Sequence, residues 1–182
     1  MDSPTFVASL QQAAPGGEFE SVPSVDLQTT VYAPRDRLSE IALALRDHPD
    51  LRFDVLLELT AVDFFPREPR FEVVYILVST ELKQRARVKV RVPGHDAHLV
   101  TLSRVWPAAN WLEREVWDLF GIVFDGHADL RRLLMPEDWE GHPLRKDYPV
   151  QIQMAARTTE PLQVTEQEFR ENLLKDRLLR QP

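Results

Sequence analysis

The feature that most constrains the fold is residues 85–92, where basic and apolar residues alternate along the sequence RARVKVRV. A period of two is typical of a β-strand with one buried and one solvated face, so the valines are predicted to face a core. Two apolar runs rich in β-branched residues precede it, at residues 53–65 and residues 71–79. The three runs predict neighbouring strands of a sheet with one face in contact with solvent.

A further strand and two amphipathic helices complete the predicted domain. Residues 22–32 are rich in valine and threonine and alternate in part, which indicates a strand. Residues 35–48 place four apolar side chains on one helical face, and Pro49 ends that run. A second helix is predicted to end at Gly121, since glycine commonly adopts the left-handed conformation after a helix. The order β-α-β-β-β-α predicts an α+β two-layer sandwich of a mixed sheet with helices on one face.

The rest of the chain is predicted to lie outside this domain, which we place at residues 21–125. Residues 1–20 contain several prolines and glycines and no basic residue, so we expect a flexible lead-in with room for one short helix. After the domain neither strand nor helix periodicity persists, which predicts an extended partner-binding arm over residues 126–164. A Thr-x-x-Glu capping box then predicts a C-terminal helix over residues 165–182.

The composition excludes several classes of function. A net charge of −7 is poorly suited to neutralising nucleic-acid phosphates or to docking on an anionic membrane surface. The absence of cysteine excludes disulfides, thiolate ligation of iron–sulfur clusters and a cysteine nucleophile within this sequence. The first residues lack the pattern of a secretory signal, and no run of about 18 apolar residues occurs. We therefore expect a cytoplasmic location, or one on the cytoplasmic face of a larger assembly.

A metal site would recruit Asp125, His127, Asp129 and His142, which carry suitable ligand atoms. Their spacing matches none of the compact zinc patterns, and thiolates are absent. The favoured interpretation is that the histidines form hydrogen bonds within a packed segment.

An acid–base pair would come from the acidic residues Glu113, Glu115 and Asp118 of the second helix. Arg114 and Asp118 lie four residues apart, however, and such residues can pair on a helix surface. Glu115 and Asp118 lie three apart and could share a face at which an arginine arrives. Structural ion pairing is therefore favoured over a catalytic pair.

The sequence also contains no nucleotide-binding or hydrolase motif, since GxxxxGK[ST], GxGxxG and GxSxG are all absent. The basic pairs Arg131-Arg132 and Arg145-Lys146 flank Trp139 in a pattern that faintly resembles a strip for stacking nucleic-acid bases. Acidic residues interleave with them, at Asp129, Glu137, Asp138, Glu140 and Asp147. That mixture favours a protein-binding surface, where arginine and aromatic side chains are common anchors.

A set of motifs in the second half of the chain carries a family resemblance. The motifs are EREVWDLFG at residues 113–121, Gly126-His127, LRRLL at residues 130–134 and HPLRKDYP at residues 142–149. In this order they resemble the signature of the 30-kilodalton subunit family of respiratory complex I, the C subunit of NADH-quinone oxidoreductase. The resemblance covers most of residues 20–150. Ala128 departs from it, because the family usually has proline after the histidine, and this would loosen the turn there.

The resemblance implies a structural and assembly subunit in the hydrophilic arm of a proton-translocating NADH:quinone oxidoreductase. It implies an arm that wraps the 49-kilodalton-type neighbour (the D subunit), with subunits B and I as further partners. No catalytic residue, cofactor or metal is expected in this chain, and FMN and iron–sulfur clusters are expected in partner subunits. Membrane contact would occur through the complex alone, at the cytoplasmic side of the inner membrane.

The residues predicted to bind the partner are those of the family motifs. They are Glu113, Arg114, Glu115, Asp118, Gly121, His127, Arg131, Arg132, Leu133, Leu134, Trp139, His142, Pro143, Arg145, Lys146, Asp147 and Tyr148. The apolar members would anchor the arm, and the basic members would pair with carboxylates on the partner or on the second helix. Two alternatives remain open. The first is the equivalent subunit of a related complex, either a membrane-bound hydrogenase or a ferredoxin- or coenzyme F420-linked dehydrogenase. The second is an autonomous acid–base enzyme that uses the acidic helix and His127.

Overall fold

Three helices and seven strands make up the part of the chain that the computed structural model describes, residues 3–149. In chain order they are α1 (Ser3–Ala13), β1 (Glu20–Ser21), β2 (Thr29–Tyr32), α2 (Leu38–Asp47, after a 3-10 turn at Arg35–Arg37), β3 (Val55–Asp63), β4 (Phe71–Ser79), β5 (Gln84–Val92), β6 (His98–Val100), α3 (Ala109–Phe120) and β7 (Val123–Asp125). The predicted C-terminal helix and the later part of the predicted arm lie outside the described residues. Within residues 3–149, no helix is both long enough and apolar enough to cross a membrane.

The main sheet in the described residues has the strand order β1-β2-β5-β4-β3. Strands β2 and β5 are parallel, and the other neighbouring pairs are antiparallel. This confirms the predicted mixed sheet, and β4 occupies the whole of the predicted run at residues 71–79. A separate two-stranded parallel sheet, β6 with β7, was not predicted.

The core lies between the inner face of the main sheet and the helices. Strand β5 alternates as predicted, with Val88, Val90 and Val92 buried and the basic residues between them partly or fully exposed. All three helices bury side chains in the same core, among them Phe6, Leu10, Ile41, Leu45, Val116 and Phe120. Burying such a side chain contributes about 1.5–3 kcal/mol, which makes this shared core the main source of stability. The α+β class is confirmed.

Two predictions for the N-terminal region are correct only in part. Residues 1–20 are not simply a flexible lead-in, because Phe6 and Leu10, one helical turn apart on α1, are both buried. The Phe6 ring packs edge-on against Phe53 with a centroid distance of 5.7 Å. The predicted strand at residues 22–32 is confirmed only at its end, as β2 (Thr29–Tyr32). Residues 22–28 form a loop, because Pro23 lacks an N–H donor and a turn follows it.

The compact unit also extends further than predicted, to Tyr148 instead of residue 125. Residues 126–148 contain no helix or strand, yet they are joined to α3 and to the β3–β4 loop by hydrogen bonds. We call residues 126–148 the irregular segment. Its described contacts make it part of the domain, so the boundary predicted at residue 125 is corrected.

Candidate functional site

The candidate site is the surface formed by helix α3 and the irregular segment that packs on it. Helix α3 ends at Gly121, which adopts the predicted left-handed conformation with φ 73° and donates its N–H to the Trp117 carbonyl at 2.8 Å. A Cβ at this position would overlap the His142 ring and would lie 2.5 Å from the Arg145 guanidinium. Glycine is therefore required at residue 121 both by the backbone conformation and by the close approach of the segment.

The Asp118 carboxylate, fully buried on α3, organises the start of the segment. Its Oδ2 accepts hydrogen bonds from three consecutive backbone N–H groups, those of Leu133, Leu134 and Met135, at 2.9, 2.7 and 2.9 Å. Its Oδ1 accepts a hydrogen bond from Arg132 Nη1 at 2.7 Å. Burial raises the pKa of Asp118, but the hydrogen bonds outweigh it and hold the pKa at about 2. An ionised carboxylate thus fixes the backbone of the segment.

The Arg132 side chain links three parts of this surface. Besides Asp118, its guanidinium donates to the carbonyls of Trp139 and Gly141, at 2.6 and 3.1 Å. It also lies 5.7 Å from the centroid of the Trp117 ring. Because a guanidinium has several donors in a fixed plane, it can hold a carboxylate and two carbonyls at once.

Arg114 does not pair with Asp118 as predicted. Its Nε and Nη2 donate instead to the carbonyls of Arg131 and Arg132, at 3.2 and 3.0 Å, and its guanidinium lies 5.0 Å from the Trp111 ring centroid. The physical reason is that Arg132 and three N–H groups already occupy the Asp118 oxygens. The predicted helix-surface pair is replaced by two contacts to the segment backbone.

Two side chains of the HPLRKDYP motif cap the C-terminal end of α3. His142 Nδ1 lies 3.0 Å from the Asp118 carbonyl, and Arg145 donates to the carbonyls of Phe120 and, at 3.2 Å, Gly121. Burial lowers the pKa of both His142 and Arg145. The last carbonyls of a helix have no partners within the helix, and cationic or N–H donors there also complement the helix dipole. Pro143, which follows His142 in the motif, is half-buried.

The end of the segment is attached to the β3–β4 loop. Arg70 binds the buried Asp63 carboxylate with two hydrogen bonds, at 3.0 and 2.8 Å, and binds Asp147 with two more, at 2.9 and 2.6 Å. Asp63 also accepts the backbone N–H of Lys146 at 2.8 Å. Burial raises the pKa of Asp63, but these hydrogen bonds and that from Phe65 lower it to about 2. Sequence reasoning missed Asp63 and Arg70, whose signal is their position at the facing ends of two predicted strands.

Glu113 lies on a different side of α3 from Asp118, because residues five apart are about 140° apart around a helix. It is fully buried and accepts hydrogen bonds from the Thr101 hydroxyl at 2.5 Å and the Leu102 N–H at 2.6 Å. Burial raises the pKa of Glu113 to about 7, although these two hydrogen bonds lower it. Glu115 is half-buried on a third side, so the three carboxylates do not form a catalytic pair.

The histidines also form separate contacts. His127 Nε2 lies 3.0 Å from the Asn110 carbonyl and 4.0 Å from the Glu113 carboxylate, while His127 Nδ1 accepts the Asp129 N–H at 3.1 Å. Asp125 is instead 3.1 Å from His98. Within the described residues, no group of three or more histidine and acidic side chains is arranged to hold a metal ion.

The outward side of the segment presents apolar side chains. Leu134 and Leu144 are more than half exposed, as is Trp111 on α3. Leu133, Met135, Trp139 and Tyr148 are partly covered, with the Trp139 and Tyr148 rings stacked at 6.4 Å. Arg131 is exposed and paired with Asp129 at 2.9 Å. Of the predicted apolar anchors, Leu134 is therefore the one most open to a partner, and sequence reasoning missed Trp111.

The fold and the site define a class of protein. It is a small α+β domain in which helix α3 and the segment that follows it form one hydrogen-bonded unit with exposed apolar side chains. Residues 31–153 match the family model described as "Respiratory-chain NADH dehydrogenase, 30 Kd subunit". The match covers well over half of the chain, and the chain belongs to this family.

Curated relatives agree with this assignment. The chain is 46% identical over 158 residues to the C subunit of NADH-quinone oxidoreductase from Roseiflexus sp. (strain RS-1), covering 87% of this chain and 90% of that protein. It is 51% identical over 125 residues to the protein of the same name from Geobacter metallireducens, covering 68% and 76%.

Two solved structures share the fold. A trypsin-resistant fragment of Nqo5 is 38% identical with a TM-score of 0.56, over 69% of this chain and 98% of that fragment. A chain of the membrane-bound sulfane sulfur reductase, an archaeal respiratory membrane complex, is 29% identical with a TM-score of 0.67, over 81% of this chain and 85% of that chain.

Proposed function

We propose that this chain is a non-redox structural and assembly subunit of a proton-translocating NADH:quinone oxidoreductase. Family membership and the names of its relatives support a place in that complex. The observation that carries the structural role is the Asp118-centred network, which holds an irregular backbone in one conformation and leaves Leu134, Leu144 and Trp111 exposed. A preorganised apolar surface of this kind loses little conformational entropy when a partner covers it.

The partner of this surface is the 49-kilodalton-type neighbour, with subunits B and I as further contacts. Arginine and aromatic side chains are the usual anchors of a protein interface. Arg131 and Trp111 are both exposed on the unit formed by α3 and the irregular segment. FMN and the iron–sulfur clusters belong to partner subunits, because a sequence without cysteine offers no thiolate to hold a cluster. The chain contacts the membrane through the complex alone, on the cytoplasmic side of the inner membrane.

The test of docking is the variant Leu134→Asp in a tagged chain that replaces the native one in cells. The charge lies on an exposed side chain, so the domain itself should fold, whereas burial of an unpaired carboxylate in the interface should weaken retention of the 49-kilodalton-type subunit. Leu43→Asp, on the exposed side of α2, is the matched control. Equal recovery of that subunit and equal NADH:quinone activity with both variants would contradict the proposed surface.

A second candidate function is the equivalent subunit of a related membrane-bound reductase or hydrogenase complex. The similarity to a chain of the archaeal sulfane sulfur reductase complex favours keeping it. The same purification separates the two candidates. An NADH-binding flavin subunit that co-purifies with the chain supports the NADH-dependent complex, whereas hydrogenase or ferredoxin-linked subunits support the related one.

A further inference from the structure

Glu113 is the buried carboxyl group of α3 that takes no part in the Asp118 network. Its hydrogen-bond partners are the Thr101 hydroxyl at 2.5 Å and the Leu102 N–H at 2.6 Å. Asp118, on another side of the same helix, has four donors, and one of them is a guanidinium. A buried ion is costly without such partners, and a carboxyl group that lacks them takes up a proton instead. The donors thus separate the two carboxyl groups of one helix.

The nearest histidine does not supply a positive charge to Glu113. His127 Nε2 lies 4.0 Å from the Glu113 carboxyl group, and both side chains are fully buried. This nitrogen is also 3.0 Å from the Asn110 carbonyl, a contact that requires a proton on Nε2. The other ring nitrogen, Nδ1, accepts the Asp129 N–H, which requires a lone pair there. The imidazole is therefore neutral in this arrangement, and a proton on Glu113 itself is what can neutralise the site.

The other elements around Glu113 present no cation to it. Within residues 3–149, no lysine or arginine forms an ion pair with Glu113. On β4, Tyr75 is fully buried, and burial together with the charge of Glu113 raises the pKa of its hydroxyl well above the ordinary value. On β6 and β7, His98 and Asp125 lie 3.1 Å from each other, and both side chains are exposed. Glu113 therefore faces neutral hydroxyl and imidazole groups.

Two hydroxyl groups connect Glu113 to the surface. Thr101 Oγ1 lies 2.5 Å from Glu113 Oε2 and 2.9 Å from Ser103 Oγ. It also accepts the Ser103 N–H at 3.2 Å. Because Ser103 is partly exposed, this row of oxygens runs from a fully buried carboxyl group to a residue in contact with solvent. We call Thr101 and Ser103 the hydroxyl pair.

The Thr101 hydroxyl has one hydrogen, so it cannot donate to Glu113 and to Ser103 at the same time. When Glu113 is ionised, Thr101 donates to the carboxylate and accepts the Ser103 hydroxyl. When Glu113 is protonated, it donates to Thr101, which in turn donates to Ser103. In both states Thr101 also accepts the Ser103 N–H, so its hydrogen and both lone pairs are used. The same oxygen positions therefore satisfy both charge states of Glu113.

We propose that Glu113 is a buried proton-binding site whose proton is exchanged with solvent through the hydroxyl pair. The proton on Glu113 Oε2 passes to Thr101 Oγ1, the Thr101 hydrogen passes to Ser103 Oγ, and the Ser103 hydrogen passes to a solvent water. Both hydroxyl groups are regenerated with their hydrogens directed toward Glu113, and the net change is release of a single proton. The site lies within this chain and is independent of the proposed function.

Proton uptake and release at this site occur near neutral pH. Burial raises the pKa of Glu113 to about 7, although the hydrogen bonds from Thr101 and Leu102 lower it. The ionised state is the one in which Thr101 must donate to Glu113. Loss of that donor therefore has a predictable direction, because it removes a bond that stabilises the charged form.

The experiment follows the Glu113 carboxyl carbon by NMR between pH 5 and 8, in the full chain labelled with carbon-13 at its glutamate carboxyl groups. Glu113→Gln identifies the signal, which is missing from the spectrum of that variant. We expect the parent signal to move with a midpoint near pH 7. Glu115→Gln, on the same helix, should leave this midpoint unchanged. A Glu113 signal that stays constant over this range would overturn the proposal.

The variant Thr101→Val keeps the shape of the side chain and removes its hydroxyl group. A hydrogen bond to a charged group is stronger than one to a neutral group, so the midpoint should rise by about one pH unit. Thr101→Ser retains the hydroxyl group and should keep the midpoint of the parent, which separates loss of the hydrogen bond from a change in packing. An unchanged midpoint in Thr101→Val would overturn the assigned role of the hydroxyl group.

The variant Ser103→Ala tests the path to solvent. Without the second hydroxyl group, proton exchange requires local opening of the domain, so the Glu113 signal should broaden several-fold near its midpoint. The midpoint itself should move less than in Thr101→Val, because Ser103 does not contact the carboxyl group. Line widths equal to those of the parent would overturn exchange through the hydroxyl pair.

Discussion

Asp118 and Arg132, 14 residues apart in the sequence, form an ion pair with an Oδ1–Nη1 distance of 2.7 Å around which the irregular segment is arranged. The relationship is asymmetric. Arg132 has carbonyl partners besides the carboxylate, whereas Asp118 is the acceptor for three N–H groups as well as for the guanidinium. Loss of the carboxylate therefore leaves more buried groups without a partner than loss of the arginine.

We expect Asp118→Asn to lower the free energy of unfolding by about 3 kcal/mol, since it leaves a buried cation and several donors uncompensated. The amide cannot replace the carboxylate, because its N–H₂ group must face either Arg132 or a backbone N–H. Urea unfolding of the purified chain at pH 7 measures the effect. The control is Asp129→Asn. Both side chains of the Asp129–Arg131 ion pair are exposed, so its loss should change the free energy of unfolding little. Similar midpoints for the two variants would contradict the central role of Asp118.

The two carboxylates that bind Arg70 should differ in their contribution. Asp63 is buried and also accepts the Lys146 N–H, whereas the Asp147 side chain is 42% exposed. We expect Asp63→Asn to lower the free energy of unfolding by about 2–4 kcal/mol and Asp147→Asn by under about 1 kcal/mol. Urea unfolding of each variant, with and without Arg70→Ala, gives the coupling energy between Arg70 and each of the two carboxylates. A larger coupling for Asp147 than for Asp63 would refute this ordering.

The sequence predicted the parts of the fold that depend on local periodicity. Strand β4, the alternation along β5 and the end of α3 at Gly121 agree with the structure because each is decided within a few residues. A short helix in residues 1–20 was allowed, but the burial of α1 was not predicted, because two buried side chains at a spacing of four are a weak signal between prolines and glycines. Its helical state is stabilised by packing against Phe53, which no local pattern reveals.

The sequence predicted which residues form the candidate site, but it did not predict which groups each of them contacts. The motif residues do come together on α3, and an arginine does arrive at Asp118. The sequence could not show that Arg114 would bind carbonyls, since that depends on which donors occupy the Asp118 oxygens in the folded chain. Nor could it place Asp63 beside Lys146, 83 residues away, because such a contact is set by the tertiary arrangement of the β3–β4 loop.

Glu113 should make stability depend on pH near neutrality. Its pKa is about 7 in the folded chain and 4.5 in the unfolded reference, so the folded state binds the proton more tightly. The resulting stabilisation is fully present below about pH 4.5 and is lost as pH rises through about 7. We expect about 3 kcal/mol less stability from this group at pH 8 than at pH 4.5.

Glu113→Gln is the test, because glutamine keeps the shape but does not ionise. Its amide oxygen can accept the Leu102 N–H while its NH2 group donates to the Thr101 hydroxyl oxygen. Urea unfolding at several pH values between 5 and 8 should give a flatter profile for the variant than for the parent chain. Glu115→Gln, on a half-buried side of the same helix, should leave the profile unchanged. Parallel profiles for the parent and Glu113→Gln would show that Glu113 is ionised throughout this range.

Gly121 and Gly126 offer a comparison of two glycines that have similar positive φ angles but different surroundings. Their φ values are 73° and 82°, so a substitution at either position incurs the cost of the left-handed conformation, about 1 kcal/mol. A Cβ at Gly126 would meet Thr101 at an ordinary 3.5 Å, whereas one at Gly121 would overlap His142 and Arg145. We therefore expect Gly121→Ala to lower the free energy of unfolding by at least about 1 kcal/mol more than Gly126→Ala. Urea unfolding of the two variants measures the difference, and limited proteolysis reports whether the irregular segment has separated from α3. An equal loss of unfolding free energy in the two variants would mean that His142 and Arg145 move aside freely, and that the end of α3 does not depend on their close approach.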